Sequence, residues 1–190
     1  MAGWIILGII VLIAIVCVIG YNSLIRLRNT MQNSWRQIDV QLKRRHDLIP
    51  NLVEAVKGYM QFERDTLTQV VEARNHAIAA PDQASRVAAE GQLTMGLGRL
   101  LAVMENYPQL KSDQNVMQLQ EQLTTTENQI AFARQAYNDA VLELNNRIET
   151  FPTNLIANMF AFKQGEYFKV ASEDQVLPKV DLSLGAPRAS

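Results

Sequence analysis

The two histidines are the first residues to weigh for chemistry, because imidazole nitrogens bind metals and move protons near neutral pH. His46 directly follows Arg44 and Arg45, a setting that opposes a bound cation. His76 stands one helical turn after Glu72, and that Glu-x-x-x-His pair supplies at most two ligands. A di-iron site in a helical bundle needs Glu-x-x-His pairs on two helices and two further glutamates. Both histidines are therefore expected on solvated helix faces, and no metal ligand set is expected. Glu105, Glu121, Glu127, Glu143 and Glu149 are scattered and suit solvated faces better than an acid–base pair. Cys17 lies inside an apolar run, and no Gly-x-Ser-x-Gly elbow or Ser/His/Asp set accompanies it. Gly91, Gly96 and Gly98 have the wrong spacing for a dinucleotide fingerprint, and no strand precedes them. The expectation is a protein with no catalytic residues, no cofactor and no enzymatic activity.

The polar residues that carry most information sit late in the chain: Arg134, Tyr137, Asn138, Asn145, Pro152 and Asn154. Asn138 and Asn145 are seven apart, so they share a helix face, with Arg134 one turn before Asn138. Tyr137, Leu144 and Phe151 share the neighbouring face. One reading is a structural network that fixes helix register, as a buried asparagine does in coiled coils. The other is a partner-binding surface continued by Phe151, Pro152 and Asn154.

Positioning such residues requires long helices, and the front of the chain supplies an anchor for them. Residues 2–25 are apolar and uncharged, and Arg26 is the first charged side chain. About 20 apolar residues suffice to cross a bilayer as a helix. Trp4 and Tyr21 bracket the run at roughly 25 Å, one aromatic near each interface. A cleaved signal peptide needs a basic start, which the residues before Trp4 lack, so residues 1–25 are expected to stay as a transmembrane anchor. Arg26, Arg28, Arg36, Lys43, Arg44 and Arg45 follow it, opposed up to that point only by Asp39. The positive-inside rule then places the N-terminus outside and the rest in the cytoplasm. The basic residues nearest the anchor face lipid headgroups, whereas Lys43 to Arg45 are expected on a solvated helix face. A net charge of −1 argues against a general nucleic-acid partner.

Beyond the anchor, Leu24, Leu27, Met31, Trp35, Ile38 and Leu42 recur at three- and four-residue steps, a single apolar stripe continuous with the membrane helix. Pro50 predicts a turn at residues 46–50, with Asp47 capping a second helix over residues 48–79; a kinked continuous helix is the alternative. Asp82 caps a third helix, and Ser112 a fourth. The fourth carries a heptad seam through Val116, Leu123, Ile130, Tyr137 and Leu144. Thr153 starts a short helix through Phe162. The fold class is all-α: a transmembrane helix continuing into a bundle of long helices over residues 26–162, with the tail, residues 163–190, unassigned.

Several blocks resemble the LemA family: Tyr21-Asn22-x-Leu24, Trp35-Arg36-Gln37-Ile38-Asp39-Val40-Gln41-Leu42, Arg44-Arg45-His46-Asp47-Leu48-Ile49-Pro50-Asn51-Leu52-Val53, Ala133-Arg134-Gln135-Ala136-Tyr137-Asn138 and Phe151-Pro152-Thr153-Asn154-Leu155-Ile156-Ala157. They occur in the expected order to about Phe168. The resemblance implies a single-pass protein of the bacterial cytoplasmic (inner) membrane with an antiparallel four-helix bundle. It implies no general enzymatic activity, and it offers a membrane metalloprotease as a partner. The resulting expectation is a membrane-anchored interaction or scaffold protein that assists membrane assemblies or quality control. The alternative is a sensor acting through a separate effector. Val40, Phe62, Met117 and Phe132 lie off the seams, which makes homo-oligomerisation an expectation as well.

Overall fold

The computed structural model describes residues 1–168, and every regular element among them is helical. Helix α1 spans Ala2–Lys57, α2 Arg64–Ala79 and α3 Gln83–Met104; a short α4, Pro108–Ser112, precedes α5, Gln114–Glu149, and α6, Thr153–Met159. Helix α1 contains the only stretch among the described residues that is long and apolar enough to cross a membrane, and no residue of that stretch is buried in the protein.

The expected turn at residues 46–50 is wrong, and so is a second helix beginning at residue 48. Helix α1 runs through Pro50 without a break, and the chain reverses at residues 58–63 instead. The reason is local. Proline removes one ladder hydrogen bond, the one to the carbonyl four residues back. That carbonyl belongs to His46, and it accepts a hydrogen bond from Arg74 Nε of α2 at 2.7 Å. Burial of Leu48, Ile49, Leu52 and Val56 continues the apolar stripe past the proline. Asp47 caps nothing and pairs with Lys43 at 2.8 Å.

Other boundaries follow cap chemistry. Asp82 accepts from Ser85 N at 2.9 Å and starts α3 as expected. Asp113, not Ser112, caps α5, accepting from Asn115 N at 2.9 Å and Val116 N at 3.2 Å. The Ser112 hydroxyl is occupied by the Gln109 carbonyl. Helix α6 stops three residues short of the expected Phe162.

Helices α1 and α5 lie antiparallel. Arg147 reaches Ser23 at the membrane end (3.3 Å), and Tyr59 reaches Asp113 at the far end (3.5 Å). Helices α2 and α3 form a second antiparallel pair, tied by Arg99 and Gln69 at 3.2 Å. Arg86 of α3 pairs with Asp39 of α1 at 2.8 Å, which seats this hairpin on the membrane-distal part of α1. Three apolar clusters stack along the molecule. The distal one centres on Ile49, Leu52, Leu93 and Leu100, the middle one on Ile38, Ile130 and Val141, and the third, beside the anchor, on Leu24, Leu144 and Ile156.

The Pro50–Arg74 relation is testable by a double-mutant cycle. Arg74→Ala should cost about 1–3 kcal/mol in the natural chain, as loss of a charged hydrogen-bond donor does. Beside Pro50→Ala, which lets residue 50 reclaim the His46 carbonyl, it should cost less than half of that in chemical denaturation. Equal costs in the two backgrounds would break the link.

Candidate functional site

A buried ionic network sits at mid-height, where α1, α3 and α5 meet. The Arg45 side chain is 1% exposed. Its Nη1 donates to Glu127 Oε2 of α5 at 2.5 Å and to Thr94 Oγ1 of α3 at 3.0 Å. Its Nη2 makes a tight bond to Glu90 Oε2. His46 Nε2 lies 2.8 Å from Glu90 Oε1. An ionised carboxylate only accepts, so this nitrogen carries the proton. Burial alone would push the Glu90 carboxyl up, but the His46 hydrogen bond and the charge and hydrogen bonds of Arg45 outweigh it and hold it below the ordinary 4.5.

These positions correct two expectations. Arg45 does not lie on a solvated face, and His46 is buried. His76 is exposed as expected. Sequence reasoning missed Glu90 and Thr94 altogether. A cavity of about 330 Å³ opens on His46 and Glu90, with Asp39, Lys43, Asp47 and Arg86 at its rim. Both Glu90 oxygens are engaged by Arg45 and His46, so this carboxylate has little freedom to act as a base. Among the described residues, no three His, Cys, Asp or Glu side chains converge to hold a metal.

The polar set of α5 continues the network toward the membrane. Arg134 is half-buried; desolvation pulls its guanidinium below the usual arginine range, while Glu127 and Glu90 act to raise it against Arg45. Its guanidinium lies over the Phe168 ring, 4.7 Å from the centroid. Tyr137 donates to the Glu166 carbonyl at 2.8 Å and meets Trp35 edge-on at 5.2 Å. Asn138 and Asn145 each face the main chain of residues 163–168, which folds back along α5. Arg134, Tyr137, Asn138 and Asn145 are thus brought together around the returning segment. Pro152 and Asn154 are not among them: Pro152 precedes the first turn of α6, and Asn154, within that turn, has its Oδ1 buried with no partner among the described residues.

A helix long and apolar enough to cross a membrane, continuous with a helical core in which a charged network locks three helices, marks the class as an all-α protein associated with membranes. A family profile for the LemA family matches residues 34–182. The chain belongs to that family. It is similar to Protein LemA of Metamycoplasma hominis, 28% identical over 156 residues that cover 82% of this chain and 71% of that one. It is also similar to Magnetosome protein MamQ 2 of Paramagnetospirillum magneticum, 25% identical over 175 residues, and to Magnetosome protein MamQ of Magnetospirillum gryphiswaldense, 23% identical over 174. In both of these the match covers 78% of this chain and 64% of the relative, so the chain spans just under two thirds of their length.

The Glu90 carboxyl gives a pH prediction. Its folded value lies below its unfolded one, so its stabilisation is complete above pH 4.5 and is lost as pH falls through the folded value. The Tm should therefore decline below about pH 4.5. In Glu90→Gln the chain should be less stable at neutral pH, and the decline should be shallower. An equally steep decline in the variant would exclude Glu90 as its source.

Proposed function

We propose that this protein is a membrane-anchored interaction protein without catalytic activity, whose helices work as one antiparallel four-helix bundle and assist membrane assemblies or quality control. The observation that carries this is the unbroken course of α1 from the apolar span into the core. At 1.5 Å per residue, the 32 residues after Ile25 extend about 48 Å. A rigid body held in this way presents side surfaces to neighbours in the same membrane, where tethering raises effective concentration. Val40, Phe62, Met117 and Phe132 remain exposed in the assembled chain, which supports a contact surface and homo-oligomers. The basic residues after the span support a cytoplasmic bundle and an outside N-terminus in a bacterial inner membrane. The family offers a membrane metalloprotease as one partner. The unbroken helix also supports a second reading, a sensor that passes motion from the bilayer to the core for a separate effector.

Two measurements test the proposal. In spheroplasts of a Cys17→Ser chain, an impermeant thiol reagent should label Ala2→Cys and spare Glu54→Cys; the reverse pattern would overturn the orientation. Crosslinking in membranes followed by mass spectrometry should recover self-contacts or a membrane protein. A chain that crosslinks to nothing and purifies as a monomer would overturn the interaction role.

A further inference from the structure

Residues 165–168 are held by their main chain. Asn138 accepts from Phe168 N at 2.8 Å and donates to Phe168 O at 3.3 Å. Asn145 does the same to Gly165, at 2.8 and 3.0 Å. Seven helical residues separate the asparagines, about 10.5 Å of rise. Three residues of extended chain reach about 10–11 Å. Two asparagines one heptad apart therefore match residues i and i+3 of an extended peptide, whereas three helical residues would cover only about 4.5 Å.

The two ends of the segment also bias which side chains fit. A Cβ at Gly165 would meet Met31 Sδ at 2.6 Å and Val141 at 3.4 Å, so the first position favours glycine, and a larger residue there must push the Met31 side chain aside. Phe168 is buried beneath Arg134 and stands 6.1 Å from Trp35. Glu166 and Tyr167 between them are exposed. A cavity of about 620 Å³, lined by the segment and by Gln83, Ala84 and Val87 of α3, leaves access beside it.

We propose that this face of α1 and α5 is a recognition site for an extended peptide of pattern Gly-x-x-aromatic, filled here by the chain's own residues 165–168, and that the same segment of a second copy fills it when the resident one leaves. Main-chain bonds do not distinguish the source of the peptide, and the sequence with a demonstrated fit is this chain's own. Copies anchored in one membrane present site and segment at the same height, with Trp35 about 15 Å beyond Ile25. The second-copy clause rests on the anchored reading above; the peptide site does not.

The site is tested with full-length chain in detergent and a fluorescent peptide of residues 162–168. The natural chain, whose site is filled, should bind it at least tenfold more weakly than Gly165→Leu or Phe168→Ala, in which the resident segment is displaced. Adding Asn138→Ala and Asn145→Ala should abolish that binding, and a peptide with leucine for glycine should not bind. Failure of both displaced variants to bind, with helix content unchanged, overturns the site, as does binding indifferent to the asparagines. The second copy is tested by mixing in nanodiscs. A chain carrying Asn138→Ala and Asn145→Ala should pair with one carrying Gly165→Leu and Phe168→Ala, while neither pairs alone. If the peptide binds and no mixed pairs form, the second copy is excluded as occupant.

A separate observation concerns α6. It packs at the end of the apolar span: Ile156 Cδ1 closes on the bare face of Gly20, and Tyr21 meets Phe160 at 4.7 Å and Phe162 at 5.9 Å. At that level, Phe151, Leu155, Met159 and Phe160 are all exposed, Met159 by 73%. We infer that α6 is seated in the bilayer interface and that lipid covers these four side chains, with Lys163 and Arg28 among the headgroups. In a Cys17→Ser chain in vesicles, an environment-sensitive dye on Met159→Cys should shift to the blue and be quenched by brominated lipid. A dye on Phe62→Cys at the far end should do neither. Quenching at Ile10→Cys without quenching at Met159→Cys would leave the anchor standing and overturn the seating of α6.

Discussion

One buried guanidinium sets the geometry of the helical core beyond the apolar span. Arg45 stands where an apolar side chain would otherwise belong, and three partners from two other helices meet it. Stripping water from such a charge is costly, and leaving it unpaired costs about 3–5 kcal/mol. Any slip of α1 against α3 or α5 separates Arg45 from Glu90 or Glu127, so one register is satisfied and its neighbours are not. Apolar residues in the same place would hold the helices together at least as firmly, but they would tolerate sliding. The network thus contributes alignment more than adhesion.

That alignment matters because α1 joins two environments. Its first part is apolar enough for hydrocarbon, its second packs into a protein core, and no loop uncouples them. Pro50 would be the natural break. Its effect is limited to one freed carbonyl, which Arg74 of α2 occupies, and the helix continues because the stripe on either side of it is buried. The anchor, the network and the returning segment beside Asn138 and Asn145 then all refer to one rod.

Much of this was legible in the residues. The apolar run, the Asp82 cap and the seam of α5 follow from composition and periodicity alone. The shared face of Asn138 and Asn145 was visible too, but what lies on that face was not, because the segment that fills it is irregular and carries no period. The helix boundary was not legible for a specific reason: the donor that occupies the carbonyl orphaned by Pro50 is Arg74, remote in sequence and on another helix. The ionic network does leave a signal in the spacing. Ile38, Leu42, Arg45, Ile49, Leu52 and Val56 step 4-3-4-3-4, and Glu90, Leu93, Leu97, Leu100 and Met104 step 3-4-3-4. A cation on one seam and a carboxylate on another mark an interior pair more than two solvated faces.

The continuity of α1 is the claim on which the account turns, and a distance measures it. Spin labels at Asn29→Cys and Glu54→Cys in a Cys17→Ser chain are 25 helical residues apart. An unbroken helix places them about 37 Å apart. A narrow distribution near that value, in lipid, is the expected result. A dominant population at roughly 20–25 Å, as a reversal around residues 46–50 would give, contradicts it.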